Sequence, residues 1–312
     1  MDPPPSLHTQ PPLHPDQVRR FLFENRPVRG HWVSLEGAWR ELRAHTQYPA
    51  PVTQLLGEAV AASVLLAATL KFRGTLTFQL QGDGAVSLLV AQCTHDFRLR
   101  AVARCDTAAV NSLAAQPRGV RFRQLAGTDG RITVTVEAEE KSLRYQGVVP
   151  LSGATLAESL ETYFASSEQL PTRVRLAADE RYGAGLLVQK LPEAHGGESE
   201  EVAAAWQGAQ QGIARLEARE LLSTGVETLL AHGFPGHDLR LFKGAPVRFE
   251  CRCSQGRVAG LLRALGVEEV REVLSEQGVV MVTCEFCQRP YRFDARDVDA
   301  LFEGTSGSET IH

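Results

Sequence analysis

The sequence predicts an α+β protein: a mixed sheet-and-helix N-terminal domain, a helical linker, and a small C-terminal domain carrying four cysteines. Three observations predict it. The hydrophobic period switches between two residues and helical spacing, with no regular βαβ repeat. A later stretch is helical in pattern yet holds Gly208 and Gly212 in its interior. Four of the six cysteines gather between Cys251 and Cys287. A chain of 312 residues has room for about two domains.

Residues 1–15 hold six prolines (Pro3, Pro4, Pro5, Pro11, Pro12, Pro15) and no apolar run, which predicts a disordered tail. The first ordered part spans 16–192. Val18, Phe21 and Leu22 have helical spacing. Pro51 suits the first turn of a long helix, where a missing N–H does no harm. The run Pro51 to Leu70 is about long enough to cross a bilayer. Gln54 and Glu58 interrupt it and much of its apolar content is Ala, so a buried core helix is expected.

The period then changes. Thr75 to Gln81 alternates, with Leu76, Phe78 and Leu80 on one face. The Gly82-Asp83-Gly84 turn and the return at Ala85 to Val90 predict a hairpin. Arg131 to Val136 alternates too, and Leu143 to Val149 is its expected partner. Leu156, Leu160, Tyr163 and Phe164 mark an amphipathic helix. Ala184 to Leu191 is the closing strand.

The linker spans 193–243. A loop at 193–199 leads into a helix expected over 201–222, with Val202, Trp206, Ile213 and Leu216 apolar. Each interior glycine costs about 1 kcal/mol relative to Ala, so this helix is marginal alone. The third part spans 244–304, and the polar residues 305–312 form a flexible tail. A strand at 247–250 leads into Cys251. Helical patterns follow around 258–265 and 270–274, then a strand at 279–283 reaches Cys284. Tyr291 and Phe293 alternate after Cys287.

The formal net charge of −4 and pI near 6.2 leave no global basic field for nucleic acid or an anionic membrane. No export signal is read at the start, which predicts a cytoplasmic, reducing setting. There, cysteines serve as thiols or metal ligands rather than as a disulfide framework.

The cysteine pattern is Cys251-Arg252-Cys253, 30 residues, then Cys284-Glu285-Phe286-Cys287. Residues i and i+2 of an extended segment share a face, so Cys251 and Cys253 can converge on one ion. A CxxC turn brings two more sulfurs together. Tetrahedral zinc with Zn–S of ~2.3 Å sets its sulfurs roughly 3.8 Å apart. A disulfide needs about 2.05 Å, so a local movement separates the two states. Zinc-bound cysteines are thiolates, which oxidants attack. Loss of the ion would unfold a domain of this size and free whatever packs on it. A purely structural zinc site is the competing expectation. Cys93 and Cys105 stand apart and are expected to be buried and inert. His232 and His237 are not expected as ligands beside four thiolates.

At these residues the sequence resembles the heat-shock protein 33 family, the redox-regulated 33-kDa chaperonins. The resemblance is carried by Phe249 to Ser254, Cys284 to Cys287 and Tyr291 to Phe293. It is carried equally by Phe21 to Gly30, Thr69 to Gly84, Arg144 to Val149 and Tyr163 to Arg173. It covers nearly the whole ordered chain. The Pro-rich tail, Gln255-Gly256 after the CxC, and the extra Cys93 and Cys105 depart from the family pattern. The resemblance implies an ATP-independent holdase rather than an enzyme. Its 16–192 domain would bind unfolding client proteins and dimerise. Cys251, Cys253, Cys284 and Cys287 would hold one Zn2+ in the inactive reduced state. Oxidation would form Cys251–Cys253 and Cys284–Cys287 disulfides, release zinc, unfold the C-terminal region and linker, and favour a homodimer.

Rival functions fare worse. From Gly244 to Glu303 there are eight Arg, no Lys and ten Asp plus Glu, the wrong balance for a zinc-ribbon nucleic-acid module. Gln288-Arg289-Pro290 follows the CxxC, where a thiol oxidoreductase needs a helix. No P-loop, GxGxxG, GxSxG or HExxH motif points to a nucleotide or to hydrolysis.

Overall fold

A β-hairpin opens the fold, where the spacing of Val18, Phe21 and Leu22 predicts a helix. Strand β1 (Gln17–Phe23) turns at Asn25, whose φ of 57° lies in the left-handed region that Asn tolerates, and returns as β2 (Val28–Leu35). The computed structural model describes residues 16–44, 46–113, 118–140, 144–192 and 200–303. The proline-rich tail, the 193–199 loop, Leu143 and the 305–312 tail lie outside the described residues. The chain divides after Glu250 into two compact units.

In the first unit, α1 (Gly37–Arg43) and α2 (Ala50–Thr69) follow the hairpin. Then come β3 (Gly74–Gln81), β4 (Val86–Thr94) and β5 (Arg98–Cys105), and the helices α3 (Thr107–Ser112) and α4 (Arg118–Ala126). Strands β6 (Arg131–Ala138) and β7 (Arg144–Pro150) lead to α5 (Leu156–Tyr163), which runs into a π-helical turn at Phe164–Glu168. Strands β8 (Thr172–Ala178) and β9 (Gly183–Lys190) precede helices α6 (Glu200–Arg215), α7 (Ala218–Ser223) and α8 (Val226–Gly233). Short strands β10 (Leu239–Leu241), β11 (Ala245–Pro246) and β12 (Arg248–Phe249) end the unit.

Two sheets form. One has the order β10-β1-β2-β9-β8, with β11 also on β1; the other runs β12-β5-β4-β3-β6-β7. The predicted 75–90 hairpin is present, with Leu76, Phe78 and Leu80 fully buried, and β6 pairs with β7 as expected. Between the sheets lies α2, buried on all sides. It is long and apolar enough to cross a membrane, but its place is the core of this unit. Its two polar interruptions meet one turn apart, Gln54 donating to Glu58 at 3.0 Å. Pro51 lies in the first turn of α2.

The other face of the first sheet carries a second core. Phe21, Phe23, Val28, Trp32, Leu186 and Val188 pack there against Ile213, Leu221, Leu229, Leu230 and Phe234 of the helical segment. The single helix expected over 201–222 is two helices. They break at Leu216-Glu217, where Glu217 and Glu220 form a reciprocal capping box.

The second unit holds α9 (Gln255–Leu265), α10 (Val267–Gln277), the hairpin β13 (Val280–Thr283) and β14 (Pro290–Phe293), and α11 (Ala295–Phe302). Among the described residues its core is eight buried side chains, including Val258, Leu262, Val270, Tyr291 and Phe293.

Candidate metal centre

Two local structures present the sulfurs. Cys251 and Cys253 lie in the irregular segment before α9, whose N-cap Ser254 accepts from the Arg257 N–H at 3.3 Å. That cap fixes where the helix starts and so where the CxC segment ends. Cys284 and Cys287 occupy the turn of the β13–β14 hairpin. The Cys284 N–H donates to the Arg289 carbonyl at 3.0 Å, and the Gln288 N–H donates to the Cys284 carbonyl at 2.8 Å. Gln288 adopts φ 53° to close this turn.

The four Sγ atoms lie within 4.8 Å of one another, and no other group of three or more potential ligands is found among the described residues. The nearest sulfurs belong to opposite halves: Cys251 to Cys284 at 3.6 Å, and Cys253 to Cys287 at 3.3 Å. These separations are too long for a disulfide and lie below a tetrahedral thiolate edge of roughly 3.8 Å. Four soft sulfur donors in a closed, partly buried cluster fit a structural tetrahedral ion.

The surroundings treat the sulfurs unequally. Burial pushes the Cys287 thiol up to about 12, the neighbouring sulfurs adding to the rise and the Arg289 backbone N–H opposing it. Burial raises Cys251 as well. Burial also works against the Cys253 thiolate. The Tyr291 hydroxyl and the three other thiols outweigh it and bring Cys253 down to about 7. Tyr291 makes no hydrogen bond of full geometry, yet its buried hydroxyl lies close enough to Cys253 to favour a negative sulfur. A hydroxyl donor beside a thiolate stabilises its negative charge.

All four predicted ligands therefore meet. Cys93 is fully buried in β4 and Cys105 ends β5, both with thiols raised by burial and both outside the cluster. His232 pairs with Glu220 at 2.7 Å, and the His237 ring stands edge-on to Phe23 at 5.2 Å; neither joins the sulfurs. The contribution of Tyr291 was not anticipated. Its alternation with Phe293 marks an inward face, but nothing in the spacing says that its hydroxyl reaches a sulfur.

A family model described as Hsp33 protein matches residues 16–294. The chain belongs to the Hsp33 family. Curated relatives named 33 kDa chaperonin agree. That of Nitrosococcus oceani is 42% identical over 287 residues, covering 92% of this chain and 94% of the relative. That of Pseudomonas aeruginosa strain LESB58 is 42% identical over 303 residues, covering 96% and 99%. The crystal structure of the 33 kDa chaperonin from Thermotoga maritima superposes with a TM-score of 0.79 at 20% identity, covering 94% of this chain and all of that one. At that identity the match speaks for the α+β fold. Hsp33 proteins are chaperonins rather than enzymes, and a chaperonin's partners are other proteins in need of folding help.

Proposed function

We propose that the reduced protein holds one zinc ion on Cys251, Cys253, Cys284 and Cys287, and that oxidation of these thiols switches on an ATP-independent holdase. The carrying observation is the convergence of four sulfurs within 4.8 Å in a unit with an eight-residue core. When bound, zinc would cross-link the start of that unit to its β13–β14 turn. A core this small depends on such a cross-link to stay folded.

The thiols do the redox chemistry. With hydrogen peroxide, two sulfurs give up two electrons, one S–S bond forms and the O–O bond breaks; two protons, from the thiols or, for thiolates, from solvent, complete the two waters that leave. The within-pair bridges Cys251–Cys253 and Cys284–Cys287 follow the family resemblance. The crossed contacts, Cys251 with Cys284 and Cys253 with Cys287, are the competing arrangement. Peptide mapping of the oxidised protein separates the two.

Sulfurs tied up in disulfides no longer serve the ion, and the unit from Cys251 onward loses its fold. Unfolding then spreads along the chain to the helical segment 200–243. Release of α6, α7 and α8 uncovers Phe21, Phe23, Trp32, Leu186 and Val188 on the first sheet. An apolar face of that kind binds the exposed side chains of unfolding proteins. The reduced, inactive form belongs to a reducing cytoplasm, and the active form works there as a homodimer once oxidants rise.

The test is light scattering from a heat-aggregating protein, with the chain added zinc-loaded and reduced or treated with peroxide. Suppression by the oxidised form alone supports the switch. No suppression by either form, with zinc intact in the reduced one, leaves a structural zinc protein.

A further inference from the structure

Strand β12 closes one end of the second sheet and stops one residue short of Cys251. It is only two residues long and pairs in parallel with β5, Arg248 beside Arg98 and Phe249 beside Leu99. Parallel pairing is the weaker kind, and so short a strand holds little by itself. Two backbone donors fasten it, Arg248 N–H to the Phe97 carbonyl at 3.0 Å and Glu250 N–H to the Leu99 carbonyl at 2.9 Å. One charged clamp completes it. The Arg98 guanidinium donates to both Glu250 carboxylate oxygens, at 3.0 and 2.8 Å, while its Nε meets Asp96 at 2.8 Å.

Beneath β12, β5 turns alternate side chains into the core. Leu99 and Ala101 are buried, and Val247 and Phe249 pack on the same core. Further along β5, the Ala103 N–H donates to the Tyr48 hydroxyl at 3.1 Å. What β12 covers is thus a stretch of strand edge at Phe97–Leu99. The segment seated there shows what fits it: an extended chain, two apolar side chains facing in, a carboxylate reaching Arg98.

We propose that this edge of β5 is a docking edge for an extended apolar segment of an unfolding protein, and that β12 occupies it while the four-cysteine unit is folded. The inference rests on the redox-switched holdase proposed above. Unfolding from Cys251 onward frees the end of β12, and backbone pairing at a strand edge accepts many sequences, as a holdase requires.

A fluorescent peptide with the sequence of residues 244–250 (GAPVRFE) provides the probe, read by anisotropy on the full chain. The oxidised protein is expected to bind it about tenfold or more tightly than the zinc-loaded reduced protein, whose edge is already taken. A heat-unfolded test protein should displace it. Arg98→Ala in the protein and Ala in place of Glu250 in the peptide should each weaken binding about two- to fivefold, and together no more than either alone. Equal affinity in both redox forms overturns the proposal. So does a peptide that unfolded protein fails to displace while the oxidised chain still suppresses aggregation, a result that leaves the switch standing. If the oxidised chain suppresses no aggregation at all, the switch fails and the docking edge falls with it.

Discussion

Gly212 of α6 lies directly against the backbone of Gly233 at the end of α8. A Cβ at position 212 would overlap the Gly233 carbonyl oxygen and the Phe234 ring. In an open helix, replacing Gly with Ala gains about 1 kcal/mol. Here the sign reverses, because a neighbouring backbone cannot move aside as a side chain can. Gly212→Ala is expected to destabilise the α6–α8 layer by about 1–3 kcal/mol. Gly208 faces only the tip of the His237 ring, so Gly208→Ala should be neutral or stabilising. Limited proteolysis of the zinc-loaded protein reads the contrast: faster cleavage within 200–243 for Gly212→Ala alone. Equal cleavage of both variants would mean that the close approach carries no energy.

Cys284 holds its place through the β13–β14 turn and its 3.6 Å approach to Cys251. Cys284→Ser leaves three thiols and a poorer donor for zinc. Bound zinc should fall well below one per chain, and cleavage sites should appear beyond Glu250. Cleavage should extend into the 200–243 segment, while residues 16–192, with α2 at their core, should keep their protease resistance. Full metal content with an unchanged cleavage pattern would remove Cys284 from the ligand set.

The site was more legible in the sequence than the first strand was. Two cysteine pairs can share one ion only if their segments meet, so spacing alone singled out the four cysteines that converge. The β1 strand hid because its sheet is covered on both faces, by α2 on one and by α6–α8 on the other. Val18 faces one core while Phe21 and Phe23 face the other, which blurs a period of two into one near 3.6. The break at Leu216-Glu217 hid for a different reason. Glutamate is an unusual N-cap, and its role appears only once Glu220 closes the box. Contacts such as Tyr291 with Cys253 depend on side-chain reach from β14 to the segment before α9, which no linear pattern records.

His31 is buried on β2 with Nδ1 lacking any hydrogen-bond partner. Burial first, and then the positive charges of Arg29 and Arg20, bring its pKa from 6.5 down to about 3. The folded protein therefore keeps His31 neutral where the unfolded chain takes up a proton. Above pH 6.5 the group has no effect on stability. Between 6.5 and about 3 it lowers stability as pH falls, by about 2 kcal/mol at pH 5. All three tryptophans, Trp32, Trp39 and Trp206, lie in the first unit, so fluorescence follows its unfolding alone. In urea titrations, the stability difference between wild type and His31→Leu should be constant above pH 6.5. It should shift in favour of the variant toward acid. A difference that does not change with pH would mean that His31 titrates alike in the folded and the unfolded chain.

Two motifs that the metal centre leaves unused meet at Glu168. Tyr145, from the Arg144–Val149 stretch, and Tyr163, from the Tyr163–Arg173 stretch, both donate to the same Glu168 carboxylate oxygen at 3.0 Å. The carboxylate sits at the end of the π-helical turn, so the two phenols tie that turn to β7. They do not carry equal weight. Tyr163 is 2% exposed and its ring lies against Gly147, whereas Tyr145 is 45% exposed. Water can replace the partner of an exposed phenol but not of a buried one. Tyr163→Phe is therefore expected to cost about 1–2 kcal/mol and Tyr145→Phe under about 0.5 kcal/mol. Glu168→Gln, which keeps an acceptor oxygen but removes its charge, should fall between them. The ordering is checked by urea unfolding followed by tryptophan fluorescence at neutral pH. Equal, small losses for all three variants would show that solvent serves Glu168 and that the turn is held by packing of Phe164 and Tyr163 alone.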